Sequence, residues 1–338
     1  MMNVRIYFFV IGIIVACSDK DNTPVPLQPV LYIVGYDAGK PVYWKDEIKT
    51  TVTDIPALSS VLVNSGFVSG TDVYIVGTVD DRSAYPPYGN GPVTFRPYYW
   101  KNGIAVSLPS SNIKSEAYAI YVSGTDVYVT GYDATPNGNL PVLWKNGVKS
   151  VLPTTGANSG AANSVSVSRN DIHIIGYDGA NTIAHWKNGA LANSFPAPFY
   201  HEPTILAAGS DVYIAARDAA LGFYSTNGVK TTLQAETGSL NNSPNGIVLS
   251  GSDVYVTGFQ YFDPAVSSKY GTTFWKNGVP TSIDIKMFSK SIFVFGNDVY
   301  LAGLSFGATG VENVPAYWKN GVLTTLGTVG AAVYITMH

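Results

Sequence analysis

Charged residues are scarce in this chain of 338 residues, since Asp, Glu, Lys and Arg together make up 13% of it, against about 25% in an average globular domain. Lys, Glu and Arg cover the exposed faces of most helices, so their scarcity argues against a mainly helical protein. The formal net charge is −3 and no run of basic residues occurs. The chain therefore lacks the electrostatic footprint of a nucleic-acid-binding protein, and we expect no nucleic-acid partner.

Cysteine is nearly absent, because Cys17 is the single copy. One thiol can form neither an internal disulfide framework nor a thiolate zinc site. The chain has four histidines, and their spacing is not typical of a metal site. We therefore expect no cofactor and no bound metal.

The start of the chain reads as a targeting segment. Ile6–Ala16 is almost entirely apolar, too short to cross a bilayer, and suited to the core of a signal peptide. We predict that residues 1–16 are removed. Ile14–Cys17 resembles a bacterial lipobox, in which the cysteine is lipidated, so Cys17 is the predicted attachment to a membrane. Ordinary secretory cleavage beside an incidental cysteine is the alternative.

Residues 17–29 are polar and contain three prolines, a composition typical of a stiff tether. The acidic run Ser18–Asn22 resembles the export signal of surface lipoproteins of the Bacteroidetes, and a solvated linker is the alternative. We expect a lipoprotein of the bacterial cell envelope, in the outer membrane. Whether it faces the periplasm or the cell surface stays open.

The rest of the chain is a sevenfold repeat. Trp-Lys-Asn-Gly occurs five times, and degenerate copies stand at Trp44–Glu47 and Ser225–Gly228, which gives a mean period of about 46 residues. A second motif of the form Gly-Thr-Asp-Val-Tyr accompanies it, as at Gly70–Tyr74. Each repeat divides into four short runs rich in β-branched and aromatic residues, which predicts four strands. Asn-Gly between the third and fourth runs predicts a type I′ hairpin.

Seven units of four antiparallel strands predict an all-β, seven-bladed β-propeller over residues 30–338. The first run, Leu31–Tyr36, matches the second strand of the other units, and the last run, Ala331–Met337, matches a first strand. We therefore predict that the C-terminal strand completes the N-terminal blade and closes the ring. The repeated Trp is expected to fill the space between neighbouring blades.

Strand direction alternates, so the two kinds of short, repeated turn lie on one face of the ring, which we call the short-turn face. The longer and more varied connections, from the second to the third strand and from the fourth to the next first strand, lie on the opposite face, the variable face. Loops on a rigid scaffold often carry function, so we expect a ligand at the channel mouth on the variable face. The candidate ligand-binding residues follow the second strands: Tyr36, Asp37, Tyr132, Asp133, Tyr177, Asp178, Arg217 and Asp218. The alternative is that these aspartates are turn formers.

Signatures of catalysis are few. Tyr200, His201 and Glu202 form the one cluster that suits acid–base chemistry, in a fourth-to-first connection on the variable face. Gly303–Gly307 matches the G-x-S-x-G pattern, but no helical pattern follows, as a nucleophile elbow requires. We therefore treat the three residues at 200–202 as weak catalytic candidates.

Taken with the leader, the two repeated motifs resemble a group of Bacteroidetes lipoproteins with seven-bladed propellers. The resemblance covers nearly the whole mature chain, and it implies an envelope protein without assigning a role or catalytic residues. We expect a non-enzymatic module that binds a glycan or a protein through the variable face. A polysaccharide lyase or hydrolase and a structural subunit of an envelope complex are the alternatives.

Overall fold

The computed structural model of the chain describes residues 29–55, 60–81, 94–111, 114–155, 159–179, 182–196, 202–218, 221–262, 270–283, 286–306 and 313–338. All regular structure in these ranges is β. None of the described residues belongs to a helix long and apolar enough to cross a membrane.

The 28 strands form seven sheets of four, numbered here as blades 1–7 in chain order. Blade 1 holds β1 (Leu31–Asp37), β2 (Lys40–Lys45), β3 (Ile48–Thr51) and the last strand, β28 (Gly330–Met337). Blade 2 holds β4 (Ser60–Ser69), β5 (Asp72–Asp81), β6 (Thr94–Lys101) and β7 (Ile104–Ser107). Blade 3 holds β8 (Ser115–Ser123), β9 (Asp126–Thr135), β10 (Gly138–Lys145) and β11 (Val148–Val151). Blade 4 holds β12 (Ala161–Ser168), β13 (Asp171–Tyr177), β14 (Thr182–Lys187) and β15 (Ala190–Pro196).

The remaining three blades repeat this plan. Blade 5 holds β16 (Thr204–Ala208), β17 (Asp211–Arg217), β18 (Gly222–Thr226) and β19 (Val229–Thr232). Blade 6 holds β20 (Ser239–Ser250), β21 (Asp253–Phe262), β22 (Tyr270–Lys276) and β23 (Val279–Ile283). Blade 7 holds β24 (Met287–Phe295), β25 (Asp298–Phe306), β26 (Asn313–Lys319) and β27 (Val322–Thr325). The seven-bladed propeller predicted from the repeats is confirmed.

The C-terminal strand closes the ring. β28 pairs antiparallel with β1, from Leu31 opposite Met337 to Asp37 opposite Gly330. Val30 and His338 extend this pairing at one end, where each main-chain amide donates to the carbonyl oxygen of the other residue. The predicted closure is therefore confirmed, and blade 1 is built from both ends of the described chain.

The repeated motifs build one cluster on the short-turn face. In blade 3, Asn146 and Gly147 both have positive φ, as a type I′ turn requires. The Asn146 side chain donates to Asp126 (2.8 Å) and accepts from the Val127 amide (2.8 Å). Lys145 forms an ion pair with the same Asp126 at 2.9 Å. The motif residues thus tie the second strand to the hairpin of their own blade.

The repeated tryptophan joins neighbouring blades. Trp144 is fully buried, and its indole nitrogen donates to the carbonyl oxygen of Pro109 (2.8 Å), in the connection that leaves blade 2. The tryptophans of blades 1, 2, 4 and 6 make the same kind of bond to the connection before them. The prediction of packing between blades is confirmed. At the tryptophan position blade 5 has the buried Ser225, which follows the buried Phe223 and Tyr224.

A β-bulge interrupts the innermost strand in six blades, always opposite a glycine of the second strand. In blade 3 the bulge falls between Ala117 and Ala119, so Tyr118 is the extra residue. A Cβ on Gly131 would overlap the carbonyl oxygen of Glu116. The same overlap would arise at five other glycines: Gly35, Gly77, Gly176, Gly258 and Gly303. The glycine therefore lets the bulged backbone approach closely.

Candidate functional site

A cavity of about 430 Å³ lies on the axis of the propeller and is lined by residues of all seven blades. Its wall is built from the first parts of the innermost strands, together with Tyr36 and Leu304 near the ends of the second strands of blades 1 and 7. First strands start and second strands end on the variable face. The cavity therefore occupies the part of the channel that lies towards the variable face, where the sequence predicts a ligand.

The bulged residues form a ring on the cavity wall, which we call the bulge ring. One residue comes from each of the six bulged strands, and all six line the cavity: Val333, Asn64, Tyr118, Asn163, Asn245 and Lys290. In blades 2, 3, 4, 6 and 7 the ring residue stands 13 positions before the glycine of the second strand. A bulge re-aims a side chain, and here each one turns a side chain towards the axis.

Two of the ring asparagines connect neighbouring blades. Asn64 donates to the carbonyl oxygen of Ala117 at 2.7 Å, and Asn245 donates to that of Ser289 at 2.9 Å. Each acceptor directly precedes the ring residue of the next blade. By contrast, the Oδ1 atom of Asn163 is buried and has no hydrogen-bond partner among the described residues. Buried amide oxygens are rarely left without a partner, so this atom is an unsatisfied acceptor in the wall of the cavity.

Blade 5, which lies next to Asn163 of blade 4, differs from the six blades with a bulge. Ala216 stands where the other second strands have glycine, and the equivalent ring position, 13 residues earlier, is Pro203. The pairing of β16 with β17 starts at Thr204 opposite Ala215, so it ends before Ala216 and contains no bulge. Glu202, Pro203 and Thr204 line the cavity here. The wall is therefore asymmetric between blades 4 and 5.

A tyrosine and carboxylate cluster lies at the rim on blade 3. Tyr132 donates to Glu116 at 2.8 Å, and Lys114 forms an ion pair with the same carboxylate at 3.1 Å. The rings of Tyr118 and Tyr132 are 5.8 Å apart. Burial, followed by the charge and hydrogen bond of Glu116, raises the pKa of Tyr118 well above its ordinary value. Both hydroxyls are protonated donors at neutral pH.

Two further charged groups line the cavity. The Lys290 ammonium lies 5.4 Å from the ring centre of Phe288, a cation–π distance. Glu202 is exposed on the blade 5 side, and its charge contributes to the raised pKa of Tyr118. The wall thus combines amides, two tyrosines, one cation and one anion, which suits a ligand with many hydrogen-bonding groups.

Three of the predicted aspartates are buried within their own blades. Asp37 accepts from the amides of Thr328 (2.8 Å) and Val329 (3.2 Å) and pairs with Lys49 at 2.8 Å. Asp133 accepts from the Ser111 amide at 2.8 Å and pairs with Lys149. These bonds hold the pKa of both carboxyls below the ordinary value, against the opposing effect of burial. Asp178 accepts from Thr155. The carboxylates fasten the loops that enter their blades.

The other predicted ligand-binding residues lie in different surroundings. Tyr36 lines the cavity. Tyr177 is buried in a core cluster with Ile175 and Ile183. Arg217 ends β17, and Asp218 accepts from the Leu221 amide at 3.3 Å and lies 3.6 Å from Lys230. Of the eight candidates, Tyr36 borders the cavity and Tyr132 belongs to the cluster at its rim.

The remaining predicted sites fall largely beyond the described ranges. Cys17, Tyr200 and His201 lie outside them, whereas Glu202 is described and lines the cavity. Among the described residues, no group of three or more His, Cys, Asp or Glu side chains could hold a metal ion.

Sequence reasoning missed two arrangements. The residue type varies around the bulge ring, although in five blades a glycine stands 13 positions later. His173 and His185 stack with ring centres 5.3 Å apart, and their Nδ1 and Nε2 atoms are 3.1 Å apart. Burial, followed by the charges of His173 and Lys187, lowers the pKa of His185 to about 4. The register of β13 and β14 brings the two histidines together, which their spacing does not suggest.

Comparisons with known proteins find only distant structural neighbours. No protein-family model and no curated protein sequence matches the chain. Among solved structures, an acylaminoacyl peptidase of Pyrococcus horikoshii is 10% identical with a TM-score of 0.47, over 79% of this chain and 46% of the peptidase. The chain thus spans about half the length of this enzyme. A subtype N11 neuraminidase-like protein of a flat-faced bat influenza virus is 12% identical with a TM-score of 0.48, over 88% and 93% of the two chains. YCF48 bound to D1 peptide is 11% identical with a TM-score of 0.47, over 81% and 85%.

Proposed function

We propose that the chain is a non-enzymatic binding module of the bacterial cell envelope, and that its ligand is a glycan held in the channel from the variable face. The observation that carries the proposal is the bulge ring around the 430 Å³ cavity. Three asparagines and a tyrosine at one repeated position offer paired donors and acceptors to hydroxyl groups. A cavity of this size fits one or two sugar residues.

The charges of the site favour binding over catalysis. Tyr118 has a raised pKa and stays protonated, so it is a donor and a poor general base. Glu116 already accepts from Tyr132 and pairs with Lys114. A lyase or hydrolase would need a free acid and base with separated pKa values beside the substrate.

The envelope part of the proposal depends on the leader. The lipobox-like Ile14–Cys17 predicts an anchor in the outer membrane, with the propeller held on the tether at residues 17–29. Intact-mass measurement of the mature protein from a bacterial membrane fraction tests it. We expect a chain that begins at Cys17 and carries acyl groups. An unmodified chain would contradict the anchor without affecting the channel site.

The experiment on the channel screens soluble and polymeric glycans against the chain from Asp19 to His338, by calorimetry for binding and by chromatography for released products. We expect binding without products. Tyr118→Ala and Asn163→Ala should each weaken it about tenfold, because each removes hydrogen bonds worth about 1.4 kcal/mol. Asn137→Ala is the matched control, since Asn137 is exposed in a loop of the variable face outside the cavity wall.

Two outcomes would contradict the proposal. If no glycan binds, the proposed ligand class is wrong. Release of products that is abolished by Glu202→Gln or His201→Ala indicates an enzyme instead.

A further inference from the structure

A ring of exposed apolar side chains lies on the short-turn face, opposite the cavity mouth. The first residue of the outermost strand is apolar and 54–74% exposed in six blades. We call these six the apolar ring: Ile48, Ile104, Val148, Val229, Val279 and Val322. Blade 4 has Ala190 at this position. Each of these exposed residues follows the turn between the third and fourth strands, so the short-turn face carries six apolar contact points.

The repeated lysine and aspartate beside the apolar ring are paired with each other within the protein. In five blades the lysine of the third strand pairs with the aspartate of the second strand, at 2.7–2.9 Å, as Lys145 does with Asp126. These groups offer little free charge to an anionic surface or to a nucleic acid. The apolar side chains are therefore the groups with which this face can gain free energy from a partner.

The chain enters the propeller on this same face. Val30 bonds to His338, and the Leu31 amide donates to Asp46 (2.9 Å) in the turn before Ile48. Residues before Val30 therefore join the folded part beside the apolar ring, on the side away from the cavity mouth.

We propose that the short-turn face lies on the lipid surface of the membrane that holds Cys17, and that the apolar ring enters the headgroup region. The inference rests on the lipid anchor of the proposed function. The tether of 13 residues reaches roughly 40 Å when extended, so the anchored propeller meets the membrane at a high effective concentration. Weak apolar contacts at six points then suffice to hold it upright. The cavity mouth faces away from the lipid.

The test places a fluorophore on either face of one blade. Lipidation blocks Cys17, so Val148→Cys or Asn137→Cys is the single free thiol in the mature lipoprotein, reconstituted in phosphatidylcholine vesicles. A polarity-sensitive dye at position 148 should brighten about twofold and be quenched by spin-labelled lipid, whereas the dye at position 137 should do neither. The signal should be independent of salt, because the contact is apolar.

The matched variant changes the other five ring positions to Thr, which keeps β-branching and removes apolar surface. It should abolish the response at position 148 while its melting temperature stays close to that of the parent. Equal signals at both positions, or a signal that survives the Thr substitutions, would overturn the membrane-facing orientation. An intact mass without acyl groups refutes the anchor and with it this inference, whereas glycan binding in the channel is measured separately.

Discussion

Individual polar residues in this propeller are used mainly to fasten the chain. The aspartates that end the second strands attract attention in the sequence because they recur beside tyrosines, which suggests a ring of ligand-binding carboxylates. Asp37 and Asp133 instead accept amide hydrogen bonds from the loops that enter their own blades. Strand endings can be predicted from the repeats, but whether an aspartate faces a ligand or a loop depends on the path of that loop, which varies between blades.

The stacked histidines of blade 4 predict a dependence of stability on pH. Both have pKa values below the ordinary 6.5, that of His185 at about 4. Between pH 6.5 and 4 the unfolded chain binds protons that the folded chain does not. The free energy of unfolding should therefore fall by about 3 kcal/mol as the pH drops through this window. Urea unfolding at a series of pH values measures it.

Blade 3 supplies the control for this prediction, because it has Tyr128 and Leu143 at the two equivalent positions. The double variant His173→Tyr, His185→Leu should flatten the pH dependence between 6.5 and about 5. The carboxyls with lowered pKa values change stability below about pH 5, since their unfolded pKa is near 3.8, and they do so in both proteins. A slope that persists in the double variant would assign the effect to other groups.

At the level of the strand, a glycine in the second strand accompanies a bulge in the innermost strand. Six blades have both features, whereas blade 5 has Ala216 and no bulge. The repeats predict the strands and their turns well, because turn-forming residues and β-branched runs are local signals. The bulge ring could not be predicted in the same way, since Asn, Tyr, Lys and Val occupy it and the cause lies on a different strand.

Gly131→Ala tests this relation. The new Cβ would overlap the Glu116 carbonyl oxygen, so the bulge at Tyr118 must shift or the blade must strain, and we expect a loss of about 3 kcal/mol in the free energy of unfolding. Ala216→Gly is the control, because it changes the same position in the blade without a bulge and should cost at most about 1 kcal/mol. Chemical denaturation measures both, and similar costs would contradict the assigned role of the glycine.

At the level of the ring, closure depends on the last strand. β28 supplies the innermost strand of blade 1, and Ile335 packs in a cluster with Trp44 and Tyr300, which links blades 1 and 7. This closure follows from the sequence, because the first repeat lacks a first strand and the last run has no strands after it. It needs only the count of strands, which explains why it could be predicted without knowledge of any side-chain contact.

Deletion of Gly330–His338 should abolish cooperative thermal unfolding, because it exposes the edge of β1 and opens the contacts between blades 1 and 7. Removal of His338 alone loses the bonds to Val30 but keeps all of β28, and it should leave a single transition. Calorimetry distinguishes the two variants. If the chain without Gly330–His338 melts like the parent, β28 is not needed to keep the ring closed.

In five blades the lining side chain of the bulge ring stands 13 residues before the glycine of the second strand. This position is separate from the tryptophans, turns and ion pairs that recur in the repeats, although Asn64 and Asn245 also bond to the neighbouring blade. A small combinatorial library at Tyr118, Asn163 and Lys290 would therefore vary the wall of the channel while the repeated framework stays unchanged.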